Sequence, residues 1–258
     1  MNKIVIITGA SSGIGEQLKL MYENQGDIVI NLSLVVEQEN KLNYAVDVSN
    51  RELVFSVIEK IYQNFKRIDV LINCAGYGVY GAVELTEEHK ARQIFEVNYF
   101  GTLWCCQAVL KYMKKGARII NISSACSLFC LPYRSMYSAS KAAVSMITYG
   151  LRMELKNFGI QVACINPGDI KTNFSKNRDI TLITNEKYGE SIEKSCNKIA
   201  SHEHKRMSKE FACKKIFKIC NKKHLKPMYI IGKKYKFLFF GQKFICTNTL
   251  LNLTRKMF

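Results

Sequence analysis

The sequence contains no apolar run long enough to cross a membrane and very few prolines. Its apolar stretches all fall short of the roughly 18 residues that a spanning helix needs. The first of them, Ile4–Ile7, runs into a Gly-rich turn rather than a cleavage site, so it is interpreted as a buried strand and not as a signal peptide. With 258 residues and 3 prolines, a single domain over residues 1–258 is expected, in a cytoplasmic protein.

Metal-binding and disulfide patterns are also missing. Ten cysteines are present, but none forms a C-x-x-C pair, and most lie in apolar runs where cysteine acts as a small hydrophobic residue. We therefore expect reduced, ordinary thiols. The segment His202–His204 has two histidines at alternate positions, which do not share a helix face, and no third ligand is suitably spaced. No metal site is predicted.

Acidic residues become scarce toward the end of the chain. Residues 1–169 carry 17 Lys and Arg against 15 Asp and Glu, whereas residues 170–258 carry 21 against 6. Three interpretations are open, in order of preference: a solvated surface, a docking surface for anionic lipid, or attraction of an acidic substrate or nucleic acid. The second rests on Lys233–Phe240, which mixes lysines with large apolar groups, and it predicts a weak contact peripheral to a membrane. Nucleic acid is not expected as a partner.

What is present is an alternation of short apolar runs with helical patterns, typical of βαβ units on a parallel sheet. Predicted strands are Lys3–Ile7, Asp27–Leu32, Tyr44–Val48, Val70–Asn73, Arg118–Ile122, Gln161–Ile165 and Met228–Ile231. Predicted helices are Ile14–Gln25, Arg51–Asn64, Glu88–Met113 and Ser135–Asn157. The expected fold is α/β: a Rossmann-like, doubly wound parallel sheet of about seven strands with helices on both faces.

Two later segments differ from this pattern. Thr172–Lys226 is polar and Lys-rich, and it is predicted to form a mobile loop and helices without a strand, covering the site as a substrate lid. The basic, apolar tail, residues 233–258, has helical potential. The stretch from Ser33 to Asp47 is short, so a loop is expected there instead of a helix.

A glycine-rich turn joins the first strand to the first helix. Its sequence, Thr8–Gly15, is T-G-A-S-S-G-I-G. The glycines permit backbone angles and close approaches that a Cβ would block. The helix that follows presents its N–H groups and the positive end of its dipole, which together suit a pyrophosphate. In this strand–turn–helix context the pattern predicts a dinucleotide site.

Tyr137 and Lys141 are four residues apart and therefore share one face of a helix. An ammonium group beside a phenol favours the phenolate and lowers the phenol's pKa from its usual value of about 10. Such a pair can donate a proton to a carbonyl or accept one from an alcohol. A Tyr/Lys pair alone is weak evidence, so its interpretation depends on the rest of the chain.

These motifs and four others resemble the short-chain dehydrogenase/reductase family in its single-domain form. Asn73-Cys74-Ala75-Gly76 is similar to the family's N-N-A-G stretch, and Asn98 to its helix asparagine. Ser124 precedes Tyr137 by thirteen residues, the family's spacing for its catalytic serine. Asn166-Pro167-Gly168, with Thr172 beyond, looks like its P-G loop on the nicotinamide side. The likeness is strong up to about residue 173 and looser after it.

The resemblance implies four catalytic residues. Tyr137 would be the general acid/base and Ser124 would orient the substrate oxygen. Lys141 would hold the ribose and lower the Tyr137 pKa, and Asn98 would keep a water-linked proton path to Lys141. The implied cofactor-binding residues are Thr8, Gly9, Ser11, Ser12, Gly13, Ile14, Gly15, Ser33, Asp47, Val48, Asn73, Ala75, Gly76, Tyr137, Lys141, Pro167, Gly168 and Thr172. The resemblance also implies homodimers or homotetramers formed through the helices Glu88–Met113 and Ser135–Asn157.

Cofactor preference depends on the end of the second strand. An acidic residue there would bind a ribose 2′-OH and an arginine would bind a 2′-phosphate, but this chain has Ser33-Leu34. Ser12 and Lys41 could both reach a phosphate. With no acid present, NADP(H) is favoured over NAD(H). Cys74 replaces the family's second asparagine, and little loss is expected because that turn works largely through its backbone.

The expected reaction is hydride transfer between a nicotinamide and a small-molecule carbonyl or secondary alcohol. The basic, apolar-tailed C-terminus resembles family members of the hydroxysteroid and retinol dehydrogenase kind, which implies a lipid-like substrate. Two alternatives remain: a reductase of 3-oxoacyl thioesters, whose acidic carrier would suit a positive lid, and a catalytically silent protein that senses NAD(P). Specificity is expected to reside in Ala125–Ser135 and in the lid.

Overall fold

In the computed structural model, seven parallel strands form one sheet with helices on both faces. The structure describes residues 2–36, 40–172, 179–180, 185–201 and 206–257. The main-sheet strands are β1 (Ile4–Thr8), β2 (Ile28–Ser33), β3 (Asn43–Ala45), β4 (Val70–Asn73), β6 (Arg118–Ile122), β7 (Gln161–Pro167) and β9 (Met228–Ile231). Their order across the sheet is β3-β2-β1-β4-β6-β7-β9. The predicted doubly wound architecture is confirmed.

Nine helices with α geometry lie in the part of the chain that the structure describes. They are α1 (Gly13–Asn24), α2 (Arg51–Phe65), α3 (Glu88–Phe95), α4 (Gly101–Leu110), α5 (Ser135–Glu154), α6 (Ser191–Ser201), α7 (Lys209–Cys220), α8 (Lys233–Gly241) and, last, α9 (Thr247–Met257). Both tail helices lie where helical potential was expected. In the described parts of the connection between β2 and β3 there is no helix, as its short length predicts.

The sheet is buried on both faces, which explains why its strands are continuous apolar runs. Along β1, Ile4 and Ile6 belong to one core cluster, which also includes residues of α2 and α4. Val5 and Ile7 point to the opposite cluster, with residues of α1 and α7. Since each fully buried Ile or Val contributes roughly 1.5–3 kcal/mol, these two layers fix the strand register and with it the edge where the loops meet.

The predicted long helix Glu88–Met113 is wrong in detail. Its middle, Glu96–Phe100, is π-helical, and the following helix α4 ends at Leu110. Inside this segment the Asn98 side chain bonds to the backbone of Tyr77, a contact across 21 residues. Such π segments often occur at functional sites, and the contact that Asn98 makes here joins distant residues, which sequence periodicity does not register.

The expectation of no strand between residues 172 and 226 is also wrong. The short strand β8 (Asp179–Ile180) pairs in parallel with β5 (Val79–Tyr80), forming a small second sheet. Later in the same range, α7 is part of the scaffold: it packs on α1, and its Cys213 and Ile216 are fully buried. Buried residues recur along α7 at helical spacing, but the intervening lysines obscured them in the sequence.

Candidate active site

The glycine turn is tied to the loop after β4 by the last residue of β1. The Thr8 hydroxyl oxygen accepts hydrogen bonds from the N–H groups of Cys74 and Ala75, both at 3.0 Å. Gly9 has a left-handed backbone (φ 67°), and a Cβ on it would lie 3.0 Å from the Ala75 Cα. A Cβ on Gly15 would overlap the Gly9 carbonyl oxygen. The turn therefore needs glycine for close packing as well as for its dihedral angles.

The end of β2 supports this turn with polar side chains. The Ser33 hydroxyl accepts a hydrogen bond from the Ser11 N–H at 3.2 Å and donates one to Asn31 Oδ1 at 2.6 Å. The Ser11 hydroxyl donates to the Val35 carbonyl at 2.6 Å. Ser33, which replaces the acid or arginine that would decide the cofactor, is therefore part of an internal network.

A cavity of about 260 Å³ opens at the carboxyl ends of the central strands, beside the glycine turn. Thirteen of the predicted site residues line it: Gly9, Ser12, Gly13, Ile14, Gly15, Ala75, Gly76, Ser124, Tyr137, Lys141, Pro167, Gly168 and Thr172. Seven others lie outside the lining: Thr8, Ser11, Ser33, Asp47, Val48, Asn73 and Asn98. Most of these seven hold the lining in place.

Two of the seven sit beyond β3, at the sheet edge. The Asp47 carboxylate accepts hydrogen bonds from the Ser49 N–H at 2.9 Å and from its hydroxyl at 2.7 Å. Val48 is buried, and a Cβ on Gly101 would lie 2.6 Å from its Cγ2. Val48 therefore packs against the first residue of α4, while Asp47 is exposed.

Lys141 is buried in the wall of the cavity. Its ammonium group donates a hydrogen bond to the Ile122 carbonyl at 3.1 Å. Burial lowers the pKa of Lys141 to about 8, since removal from water disfavours the charged form. A Cβ on Gly76 would lie 3.2 Å from this nitrogen, so the glycine lets the loop after β4 approach the amine.

Asn98 holds that same loop from behind. Its Oδ1 accepts from the Tyr77 N–H at 3.0 Å, while its Nδ2 donates to the Tyr77 carbonyl and to the Ser140 hydroxyl, each at 3.0 Å. A Cβ on Gly76 would lie 2.7 Å from Asn98 Oδ1. Asn98 thus positions the Gly76–Tyr77 backbone against α5, the helix that carries Tyr137 and Lys141.

Ser124 caps the short 3₁₀ turn that follows β6. Its hydroxyl oxygen accepts a hydrogen bond from the Cys126 N–H at 3.1 Å, while the Ser127 hydroxyl donates to Asn166 Oδ1 at 2.9 Å. Behind this turn, Asn73 Nδ2 donates to Asn121 Oδ1 at 2.8 Å. These bonds tie the ends of β4, β6 and β7 together, so that Ser124 and Tyr137 face the same cavity.

The sequence did not reveal that the tail closes this cavity. Tyr235, Leu238 and Thr254 all line it. The Tyr235 hydroxyl donates to Asp169, and a Cβ on Gly168 would overlap the Tyr235 ring. Burial and then the Asp169 charge raise the pKa of Tyr235, which keeps the phenol protonated. The basic and aromatic composition of the tail was visible, but nothing in it indicated contact with the site.

Two further cations that the sequence did not single out also line the cavity. Arg134 lies at the N-terminus of α5 and is 5% exposed. Arg206 precedes α7. The histidines of His202–His204 lie outside the described residues.

Comparison with known proteins places this geometry in a family. The family model described as short chain dehydrogenase matches residues 3–182. A 3-ketodihydrosphingosine reductase of Bacteroides thetaiotaomicron is 41% identical over 207 residues, covering 78% of this chain and 77% of that protein. The chain belongs to the short-chain dehydrogenase/reductase family.

Solved structures agree with this assignment. A short-chain dehydrogenase from Streptomyces avermitilis superposes with a TM-score of 0.84 at 26% identity, covering 98% of this chain and 95% of that one. ElxO with NADP bound superposes with a TM-score of 0.74 at 30% identity, covering 90% and 96%. The glycine crevice, with a left-handed Gly13 (φ 59°) at the start of α1, suits a dinucleotide. The chain is an NAD(P)-dependent oxidoreductase.

Proposed function

We propose that this protein interconverts a ketone and a secondary alcohol on a lipid-like substrate, with Tyr137 as the general acid/base. The observation that carries the proposal is that Ser124, Tyr137 and Lys141 line one cavity with the glycine turn. When bound, NAD(P)(H) supplies or accepts the hydride. The residues of the chain then have to orient the substrate oxygen and move a proton to or from it.

Each catalytic side chain has a distinct task in this proposal. Tyr137 gives a proton to the oxygen during reduction and takes it back during oxidation. Ser124 orients that oxygen by a hydrogen bond. Lys141, a buried cation on the same helix face, favours the phenolate of Tyr137 and binds the ribose. Asn98 acts as a positioning residue, because its amide holds the Gly76–Tyr77 loop beside Lys141.

The test compares Tyr137→Phe with Tyr149→Phe, a substitution on the same helix but outside the cavity. Loss of the phenolic proton should lower kcat about 10²–10⁴-fold, the usual contribution of a general acid. Cofactor affinity, followed by nicotinamide fluorescence, should stay within about threefold of the wild type. Full turnover by Tyr137→Phe would refute the proposal.

The same assay separates the two alternative functions. A silent NAD(P) sensor would bind cofactor but turn over no carbonyl in either direction. A 3-oxoacyl thioester reductase would favour thioester-linked substrates over free ketones. Against the sensor, Ser124, Tyr137 and Lys141 are all present and share one cavity, which a binding function does not require.

For the cofactor we propose a preference for NADP(H). Among the residues that the structure describes, the end of β2 has no acidic side chain to repel a 2′-phosphate. Ser33 stands there instead, held by Ser11 and Asn31. Lys41 is exposed near this sheet edge. ElxO, whose structure contains NADP, is a relative of similar fold. Michaelis constants for NADPH and NADH test the preference, and a lower constant for NADH would contradict it.

For the substrate we propose a long apolar chain next to the reacting carbon. Beyond Tyr137 the cavity is lined by Phe129, Leu131, Ile170 and Leu238. The relative from Bacteroides is a reductase of 3-ketodihydrosphingosine. A panel of ketones of increasing chain length should show kcat/KM rising with length, since each buried CH₂ contributes about 0.8 kcal/mol. A flat series would exclude an apolar subsite.

The tail surface supports weak binding to anionic membranes. After Glu210 the chain has no acidic residue and 12 Lys and Arg. The aromatic rings of Phe237, Phe240 and Phe244 are 78%, 64% and 79% exposed, beside residues that line the cavity. In the part of the chain that the structure describes, no helix is both long and apolar enough to cross a membrane. We propose a peripheral contact, made by a cytoplasmic protein.

Vesicle flotation tests this contact. The wild type should float with vesicles containing phosphatidylserine and be released by salt, and Phe240→Ser with Phe244→Ser should abolish flotation. Phe158→Ser is the matched control, because that ring is 67% exposed but lies outside the tail. Equal flotation of the tail variant and the wild type would disprove the contact.

Two remaining expectations are proposals with separate support. For oligomerisation through α5, Met146 and Met153 are large apolar residues 68% and 73% exposed on that helix. For the lid, predicted over Thr172–Lys226, the support is that the Tyr80 hydroxyl donates to Ser195 of α6 at 2.6 Å. The Tyr80 ring in turn lies against Arg134 of the cavity lining. Light scattering tests the oligomer, and Met146→Lys is expected to be monomeric. Proteolysis with and without cofactor tests the lid, and bound cofactor is expected to protect it from cleavage.

A further inference from the structure

Arg134 is a buried cation at the substrate end of the cavity. Only 5% of the residue is exposed, and its Nη2 has no hydrogen-bond partner among the residues that the structure describes. Its Nη1 lies 4.0 Å from the Cys126 sulfur, a weak acceptor, and its guanidinium carbon lies 5.9 Å from the centre of the Tyr80 ring. An arginine cannot lose its charge in this setting, so the donor stays charged and incompletely paired.

The nearby acid does not complete the pair. Asp169 is in electrostatic range of Arg134, but its carboxylate accepts the Tyr235 hydroxyl instead of a guanidinium N–H among the described contacts. Burying a charge without a hydrogen-bonded partner is unfavourable. The cavity therefore offers a strong site for an acceptor that arrives with the ligand.

The position of Arg134 at the start of a helix also favours a bound anion. Arg134 stands at the N-cap of α5, a helix of 20 residues, where the dipole is positive and a cation is disfavoured. An anion in front of Arg134 would meet both the guanidinium and the positive helix end.

We propose that Arg134 binds an oxyanion, a carboxylate or a phosphate, carried by the substrate. This deepens the proposed function by naming a second polar group on the lipid-like substrate. Arg134, Tyr137 and Lys141 follow one another at helical spacings of three and four, and all line the cavity. Because Arg134 precedes Tyr137 by about one turn, roughly 5 Å along the axis, the oxyanion is attached a few bonds from the reacting carbonyl.

The proposal is tested by measuring ligand binding in the absence of turnover. A negative result would therefore contradict the Arg134 site without bearing on the proposed reaction. Octanoate, octyl phosphate and the neutral octanol are titrated into the full-length protein by calorimetry, with and without NADP⁺. We expect at least one anion to bind tenfold or more tighter than octanol. Which anion binds tighter distinguishes a carboxylate from a phosphate headgroup. Equal binding of all three would overturn the proposal.

Variants assign the effect to Arg134. Arg134→Met should remove the preference for the anion and leave octanol binding unchanged, and Arg134→Lys should keep part of it, because one charge remains without the planar fork. Arg206→Met, which removes the other arginine of the cavity, should keep the preference. A purely structural arginine would weaken all three ligands equally. Such a uniform loss would contradict the proposal, and so would a loss of the anion preference in Arg206→Met alone. If Arg134→Met does not fold, the titrations of the wild type and of Arg134→Lys still decide the proposal.

Discussion

Residues 1–169 have nearly balanced charge and build six of the seven main-sheet strands, whereas residues 170–258 are strongly basic and add only β9 to that sheet. Ser124, Tyr137 and Lys141 all lie in the first region. The second region fills one face of the core with α7 and closes the cavity with its tail. The chemistry and the shape of the substrate space are thus supplied by different parts of the chain, which can be perturbed separately.

The largest effect on stability is expected in the first region, at Lys141. Its folded-state pKa of about 8 is below the reference value of 10.5, so the buried charge opposes folding at neutral pH. Lys141→Met should therefore raise the free energy of unfolding of the cofactor-free protein at pH 7 by about 3 kcal/mol, while abolishing turnover.

The sign of the pH dependence follows from the same shift. Between about pH 8 and 10.5 the unfolded chain binds more protons at this lysine than the folded one, so wild-type stability rises with pH in that window. The advantage of Lys141→Met should shrink by about 2 kcal/mol from pH 7 to 9.5. Urea unfolding at both pH values measures it. Lys236→Met, on the exposed tail, is the control, with an expected change below about 0.5 kcal/mol. A constant difference between Lys141→Met and wild type would contradict the buried-charge account.

An intermediate effect is expected from paired glycine substitutions, one in each region. The Cβ of Gly15→Ala would meet the Gly9 carbonyl, and such overpacking costs about 1–3 kcal/mol. If this cost falls on the cofactor-binding form of the turn, NADP⁺ affinity drops about 10–100-fold. Gly241→Ala meets no atom within 4 Å at the end of α8 and should be neutral or stabilising. Calorimetric titration and thermal unfolding of both variants check this. Similar losses of cofactor affinity and thermal stability in Gly15→Ala and Gly241→Ala would show that the two regions do not differ in packing.

Most of the fold could be predicted because its sequence patterns lie within single strands, turns and helices. The strand–turn–helix at Thr8–Gly15 and the spacing of Tyr137 and Lys141 depend on neighbours within one element, and the structure brings them to one cavity. The two buried faces of the parallel sheet produce apolar runs that are visible without any structure.

The remaining features depend on contacts between distant residues. The π segment contains Asn98, whose side chain bonds to Tyr77 across 21 residues, and the β5–β8 pair joins positions about a hundred residues apart. The sequence analysis placed Arg134 only within the segment Ala125–Ser135, and the folded chain shows that it is buried. Composition could identify the tail as basic and aromatic, but not that Tyr235 would reach Asp169 across 66 residues.

The smallest effect is expected at the contact that joins the two regions. Tyr235→Phe keeps the ring against Gly168 but removes the hydroxyl that donates to Asp169. Loss of a hydrogen bond to a charged group should lower the free energy of unfolding by about 1–2 kcal/mol and, by loosening the cavity wall, raise the substrate KM more than it lowers kcat. Tyr229→Phe, in β9 and outside the cavity, is the matched control. If Tyr235→Phe and Tyr229→Phe both have the KM of the wild type, the tail covers the scaffold without shaping the substrate cavity. The proposal that the second region determines the shape of that cavity would then be wrong.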